Sequence, residues 1–329
     1  MQSSYNKSII MNKPYVIGMD MGGTNTVFGI VDARGNVVSK AAVKTGTHQD
    51  INLYVQDIYN ELTKLINEVG GISAIKGIGV GAPNGNYYTG NIEFAPNLNW
   101  KGVIPFSQLM KEKFGIPTVL TNDANAAAIG EMTYGAARGM KNFIMITLGT
   151  GVGSGIVIDG KLVYGHDGFA GELGHTCSVR NNGRQCACGK TGCLETYASA
   201  NGVARTAREI LETRKDDSLL RNIPIEAITS KDVHDAAVQG DLVALEIFEF
   251  TGKILGEALS DFVAFSAPEA IVLFGGLTKS GDYILKPIVE HMEKNLLAIW
   301  RGKIKVLFSD LKEADAAVLG ASALAWEIQ

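Results

Sequence analysis

Tyr15-Val16-Ile17-Gly18-Met19-Asp20-Met21-Gly22-Gly23-Thr24-Asn25-Thr26 is the stretch that decides the fold. Its first half is apolar and reads as a buried strand ending at Asp20. Val27 to Val31 reads as a second strand, so the glycines between them sit in a hairpin. Asp32-Ala33-Arg34-Gly35-Asn36 is a turn, and Val37-Val38 opens a third strand. A dinucleotide fingerprint needs a helix directly after its glycines, and this stretch has none. A P-loop is excluded as well, because no Gly-x-x-x-x-Gly-Lys-Ser/Thr occurs in the chain.

The same arrangement recurs further on. Phe143 to Thr147 is a strand, Leu148-Gly149-Thr150-Gly151-Val152-Gly153-Ser154-Gly155 is a glycine-rich turn, and Ile156-Val157-Ile158 returns. Asp159-Gly160-Lys161 then turns the chain into Leu162-Val163. Side by side, Asp20 matches Thr147, Gly22 matches Gly149, and Asp32 matches Asp159. Two copies of strand, hairpin, strand, turn and strand imply a duplicated α/β domain. Backbone amides of two such hairpins facing each other across a cleft suit a polyphosphate.

Between the copies, Leu53, Val55, Ile58, Leu62, Leu65, Ile66 and Val69 recur at helical spacing, so Ile51–Val69 reads as an amphipathic helix. Ile75–Val80 is a short strand opening into Gly81-Ala82-Pro83-Asn84-Gly85. Its Gly77-x-Gly79-x-x-Ala82 lies inside the strand and has no helix after it, so it is no nucleotide motif. Phe94-Ala95-Pro96-Asn97-Leu98-Asn99-Trp100 is a polar-aromatic loop suited to lining a small-molecule cleft or to anchoring a surface loop through Trp100. Thr118–Thr121 is a strand ending at Asn122-Asp123, where a helix begins. Ligand sites in open α/β sheets sit at such junctions. Asp and Asn are also favoured helix caps, and the helix start keeps a carboxylate ionised.

Gly171-Glu172-Leu173-Gly174-His175 is followed by Cys186-Ala187-Cys188-Gly189-Lys190-Thr191-Gly192-Cys193-Leu194-Glu195. Three of the four cysteines fall within eight residues. Thiolate and imidazole are what a structural Zn²⁺ prefers, and Gly189 and Gly192 allow the tight loop. A Cys-x-Cys pair bridges poorly, and the loop is too polar for core. His175, Cys186, Cys188 and Cys193 are the expected ligands, with Cys177 the alternative to His175. The ion would hold Glu172 and Glu195 nearby, and paired carboxylates beside an imidazole suit sugar hydroxyls. Solvated loop charge is the plainer reading of those two residues.

Thr196–Arg214, Ser230–Gln239 and Leu242–Phe265 have helical patterns. Ala270–Phe274 is a buried strand ending in Gly275-Gly276, where a flat nucleoside can come close. Ala314–Glu327 is an Ala-rich helix. The 329 residues are 46% hydrophobic and 19% charged, enough for two domains. Net charge is −4 and the pI about 5.8, and there is no basic tract for nucleic acid and no apolar run for a membrane. Residues 1–13 read as a flexible lead-in without signal-peptide character, with Met11 as an alternative start. Reduced cysteines and no export signal make the cytoplasm the expected compartment.

Asp20-x-Gly22-Gly23-Thr24, Ala95-Pro96-Asn97-Leu98-x-Trp100, Asn122-Asp123-Ala124-Asn125-Ala126, Leu148-Gly149-Thr150-Gly151-x-Gly153, Glu172-x-Gly174-His175 and Cys186-x-Cys188-Gly189-x-x-Gly192-Cys193-x-Glu195 together resemble the ROK family of sugar kinases and repressors. The resemblance runs from Val16 to the last helix. The cysteine motif is its most specific part. It implies an actin-like, hexokinase-like (ribonuclease H-like) duplicated α/β fold of two lobes with a cleft. A small lobe would span 14–122, joined by the C-terminal helix 314–329, and a large lobe would span 123–313, with the zinc loop at 175–193.

The resemblance also implies ATP-dependent phosphorylation of a hexose, most like glucose to glucose 6-phosphate. Asp123 would be the general base. Asn84 borders the sugar, and Asn97, Asn122, Glu172, His175 and Glu195 would hold it. Gly22, Gly23, Thr24, Asn25, Thr147, Gly149, Thr150 and Gly151 would take the phosphates, Gly275 and Gly276 the adenosine. Asp20 would place Mg²⁺ through water. Two departures stand out: Asn25 replaces a frequent Lys, and Asn84 intervenes between Pro83 and Gly85. Kinases for N-acetylglucosamine, N-acetylmannosamine, fructose or another hexose are the competing enzymes. A sugar-sensing regulator without catalysis is the competing class, as is a non-enzymatic zinc or sugar-binding module. Family repressors carry a winged helix-turn-helix ahead of this part, and the 19 residues before Asp20 are too few for one. A homodimer or homotetramer is expected.

Overall fold

The computed structural model describes residues 13–328. Apart from Lys13, the lead-in expected over 1–13 lies outside the described residues. The chain divides into two compact units, one running to Gly130 and resuming at Ala314, the other spanning Glu131–Glu313.

The first unit is built on β1 (Tyr15–Met21), β2 (Asn25–Asp32), β3 (Val37–Lys44), α1 (Ile51–Glu68) and β4 (Ile75–Gly81). A small ribbon, β5 (Ile92–Glu93) and β6 (Val103–Ile104), precedes α2 (Phe106–Phe114), β7 (Thr118–Thr121) and α3 (Asp123–Tyr134). Its sheet runs β3-β2-β1-β4-β7. β1, β2 and β3 are an antiparallel meander, and β4 and β7 lie parallel to β1.

The second unit holds β8 (Phe143–Leu148), β9 (Val152–Ile158), β10 (Lys161–Leu162), α4 (Glu195–Ala198), α5 (Ala200–Thr213), α6 (Ser230–Val238) and α7 (Leu242–Ser266). β11 (Ala270–Phe274), α8 (Asp282–Asn295) and β12 (Lys305–Phe308) complete it. Its sheet runs β10-β9-β8-β11-β12, again a meander followed by two parallel strands. The order repeats that of the first sheet position by position, so the duplication read from the hairpins holds for whole sheets.

The register corrects one equivalence. In β1–β2, Met21 pairs with Thr26 across four turn residues; in β8–β9, Leu148 pairs with Val152 across three. The second hairpin is one residue shorter, so Asp32 matches Ile158 and not Asp159. Up to the turn, Asp20 and Thr147 do occupy equivalent places.

Helix α1 corrects another reading. Its buried face is Tyr54, Val55, Ile58, Leu62, Leu65 and Ile66, whereas Leu53 is 53% exposed. Burial of such side chains gives about 1.5–3 kcal/mol each, well above any propensity difference between residues, so the face with Tyr54 wins.

The last helix, α9 (Glu313–Trp326), returns to the first unit's sheet. A Cβ at Gly18 would lie 2.0 Å from the Val318 carbonyl, and one at Gly79 1.9 Å from that of Ala321. These neighbours on β1 and β4 are glycine because a helix backbone lies directly on them. The false nucleotide motif at Gly77–Ala82 therefore has a packing cause. Each unit has its own apolar core. That of the first centres on Phe28, Tyr54, Ile78 and Phe106, and that of the second on Ile146, Phe248, Leu255 and Leu273.

Candidate functional site

In the first unit, the C-terminal ends of three parallel strands bring the acidic pair together. Asp20 on β1 is in register with Gly81 on β4, and Gly81 with Thr121 on β7. Asn122 and Asp123 follow. The missing side chain of Gly81 makes the room: a Cβ there would sit 3.5 Å from the Cα of Asp123 and 3.9 Å from Asp20 Oδ1. Asn122, not Asp123, caps α3, its Oδ1 accepting from the Asn125 amide at 2.7 Å. Asp123 accepts the adjacent Ala124 N–H, at 2.8 Å. Its carboxylate is thus released from the capping role that its position suggests.

Burial pushes the Asp20 carboxyl up to about 6, with the negative charge of Asp123 adding to the rise. Desolvation also raises the Asp123 carboxyl, against the backbone bond from Ala124. A buried carboxylate raised further by a second one beside it suits a cation, and Asp20 would fit a water-mediated hold on Mg²⁺.

The β1–β2 hairpin lies against the sugar-loop candidate. Gly22 N–H donates to Asn25 O at 3.0 Å and closes the turn. A Cβ on Gly23 would meet the Asn97 carbonyl at 2.9 Å. Gly23, Thr24 and Asn25 are exposed, as is Asn97. Asn84 adopts φ 50°, and its amide donates to the Glu93 carbonyl at 3.0 Å. Phe94 beside it has φ 52° and is 70% exposed. Asn84 therefore shapes this loop through its own hydrogen bond.

In the second unit, Thr147 Oγ1 accepts from Gly153 N at 3.1 Å and stiffens the β8–β9 hairpin. Among the described residues, no atom beyond the chain neighbours of Gly149 and Gly276 lies within 4 Å of a notional Cβ there, so their backbones are open to a ligand. Gly275 has φ 108° and would place a Cβ 2.6 Å from the Leu148 carbonyl. The end of β11 thus packs on the hairpin, joining the nucleoside and phosphate candidates. Thr150 is exposed at the tip.

The cysteine loop closes on itself. The ligand atoms of His175, Cys186, Cys188 and Cys193 all lie within 4.8 Å of one another. Cys188 Sγ is 3.6 Å from Cys193 Sγ, and Cys186 Sγ is 3.8 Å from His175 Nδ1. Zn–S bonds of ~2.3 Å in a tetrahedron put sulfurs about 3.8 Å apart, so the donor set fits zinc. Gly189 and Gly192 have φ 90° and 78°, the backbone states the tight loop needs. The Cys177 thiol points to the Val179 and Thr191 carbonyls, outside the four-residue group.

Glu195 joins this loop to the hairpin. Its Oε2 accepts from Val152 N at 3.2 Å, and its Oε1 lies 3.9 Å from His175 Nδ1. Glu172 is exposed at the start of the short turn that carries His175. Buried Arg184 holds the loop from behind. It bonds Glu209, Thr206 and the Thr196 carbonyl, lies over the Tyr197 ring, and its own carbonyl takes Gly192 N–H at 2.8 Å. Its only sequence signal was a turn, Asn182-Gly183-Arg184, which says nothing of partners on α5.

The ROK family pattern matches residues 16–328. The chain belongs to the ROK family. Its fold is accordingly the actin-like, hexokinase-like one. This ROK protein is 39% identical over 286 residues to a glucokinase of Halalkalibacterium halodurans, with 86% of each chain covered. It superposes on the ROK family glucokinase from Streptomyces griseus, solved in complex with glucose and AMPPNP, with a TM-score of 0.78 and 33% identity over 95% of this chain and all of that one. It is 28% identical to a xylose repressor of Caldicellulosiruptor bescii, matching 94% of this chain and 77% of the repressor.

Proposed function

We propose that this ROK protein transfers the γ-phosphoryl group of ATP to a hexose, with glucose as the acceptor and glucose 6-phosphate as the product. The observation that carries the reading is the Asp123 carboxylate, freed from helix capping by Asn122 and set beside Asp20 at the ends of β1, β4 and β7. The similarity to glucokinases supports the substrate class.

In this reading Asp123 takes the proton of the attacking hydroxyl. The oxygen attacks the γ-phosphorus and ADP leaves. Phosphoryl transfer is chiefly positioning and charge neutralisation, so a carboxylate of modest basicity suffices. Asn97, Asn122, Glu172, His175 and Glu195 orient the sugar, and the Asn84 loop borders it. Amides of Gly22–Asn25 and Thr147–Gly151 receive the phosphates, and Gly275-Gly276 the adenosine. Asp20 would hold Mg²⁺ through water, and that ion would supply positive charge to the phosphates. Cys186, Cys188, Cys193 and His175 would hold zinc, which would fix the imidazole. A cytoplasmic homo-oligomer acting on small molecules, without nucleic acid or membrane, completes the reading. Among the described residues no helix is long and apolar enough to cross a membrane.

The test is ATP consumption by the purified protein against glucose, fructose, mannose and N-acetylhexosamines, with Asp123→Asn as control. Fast turnover on glucose that the variant lacks is expected. Turnover on another sugar instead would keep the mechanism and move specificity to the Asn84 loop. The xylose-repressor similarity favours one second reading, a sugar-responsive regulator. Sugar binding without turnover on any of these sugars would establish it in place of the kinase.

A further inference from the structure

The sugar-loop candidate, 94–100, and the phosphate-hairpin candidate, 22–25, are joined by three routes within the first unit. The first is packing of Gly23 on the Asn97 carbonyl. The second runs through the end of β3: Thr45 N–H donates to the Thr24 carbonyl at 2.9 Å, and the Asn99 amide donates to Gly46 O at 3.0 Å. The third runs through α1. Thr26 Oγ1, on the hairpin's return strand, bonds both Thr45 Oγ1 and the Tyr54 hydroxyl, and the Tyr54 ring lies 4.6 Å from that of Trp100.

We propose that Tyr54 is a positioning residue that couples hexose binding at the Asn97 loop to nucleotide binding at the Gly22–Asn25 hairpin. The proposal rests on the kinase reading above. Coupling between two sites needs a physical element that both of them bias. Thr26, Thr45 and Tyr54 are at most 1% exposed, so solvent cannot replace the bonds of this network. Trp100 is 6% exposed, and its Nε1 has no hydrogen-bond partner among the described residues. The indole is therefore positioned by packing, foremost on the Tyr54 ring. A shift of the loop when a hexose occupies Asn97 presses Trp100 on Tyr54. The Tyr54 hydroxyl passes that shift to Thr26, immediately after the last hairpin residue. Tyr54 is fully buried, so its action on either ligand is indirect.

Tyr54→Phe is the selective variant. It keeps the ring against Trp100 and leaves the bond between Thr26 and Thr45. Thr26→Val is the second variant, cutting the same link from the hairpin side. Calorimetric titration of AMPPNP with MgCl₂, with and without saturating glucose, gives the coupling factor for each protein. Couplings of this kind are typically about 5–150-fold. The wild type is expected to bind AMPPNP at least about fivefold more tightly with glucose present. In Tyr54→Phe that factor should fall at least about twofold, the other two routes being intact, while each ligand alone binds within about twofold of wild type. An unchanged factor in both variants would overturn the proposal, as would an uncoupled wild type that still turns over glucose. Loss of affinity for each ligand alone would also overturn it, by making Tyr54 merely structural. Failure of the wild type to bind glucose or AMPPNP would remove the kinase reading and this proposal together.

Discussion

Asp123 and Asn122 show how much depends on one residue step. Both are good helix caps, and only the one with its side chain folded over the helix start performs that role. Asn122 accepts the Asn125 amide, and Asp123 does not take the cap position, which suits the general-base role proposed for it. Replacing Asp123 by Ala should leave sugar and nucleotide binding in place and lower turnover about 10²–10⁴-fold, the range for loss of a general base. Steady-state rates alongside calorimetric binding check this, and near-normal turnover sinks the assignment. Asp20 makes a different prediction. Its folded-state carboxyl is raised to about 6, so the protonated form is the one the fold favours. The stability it contributes is full below the ordinary carboxyl range and is lost as pH rises through about 6. Above that, without Mg²⁺ or nucleotide, Asp20→Asn should be more stable than wild type by about 2 kcal/mol, since each pKa unit is worth ~1.4 kcal/mol and partial solvent contact discounts the sum. Urea unfolding at pH 8 and pH 4 tests it, with the advantage expected only at pH 8. Both residues were legible as candidates in the sequence. Their division of labour was not, because a hydrogen-bonding preference shared by two neighbours is settled by geometry.

At the scale of elements, glycines explain most of what the strands do. The glycine hairpins were readable because strand, turn and return strand are local. Gly18 and Gly79 were not, since what they accommodate is α9, which comes more than 200 residues later in the chain. Gly79→Ala would press a methyl to 1.9 Å from the Ala321 carbonyl. Overpacking typically costs about 1–3 kcal/mol, and backbone on the other side puts this case at the upper end. Chemical denaturation should show a lower midpoint with an unchanged slope; an unshifted midpoint would mean that α9 does not seat on β4 as described. Helix α1 teaches the same lesson. Leu53 fits an apolar count, but the turn that faces the sheet carries Tyr54, whose hydroxyl has a partner on β2, Thr26, that no helical pattern contains.

For the whole molecule, two units with separate apolar cores predict unfolding that is not a single two-state step. The candidate metal loop belongs to the second unit, so in the zinc reading stripping the ion should lower that unit's transition in scanning calorimetry, because metal affinity there would be folding free energy. Cys188→Ser should purify with little zinc and show the same shift, and Cys177→Ser should keep about one zinc per chain. Equal loss in both variants would return Cys177 to the ligand set. The sequence by itself determined the duplicated hairpins, the cysteine-histidine loop and the acidic junction before α3. Each is held within a few residues by positive-φ glycines, ligand spacing or strand alternation. Only the tertiary structure decided which of Asn122 and Asp123 caps α3, why β1 and β4 carry facing glycines, where Cys177 points, and how Tyr54 joins hairpin to loop. Those depend on sheet register and on contacts between distant segments, and packing a unique core fixes them where local preference leaves several residues equivalent.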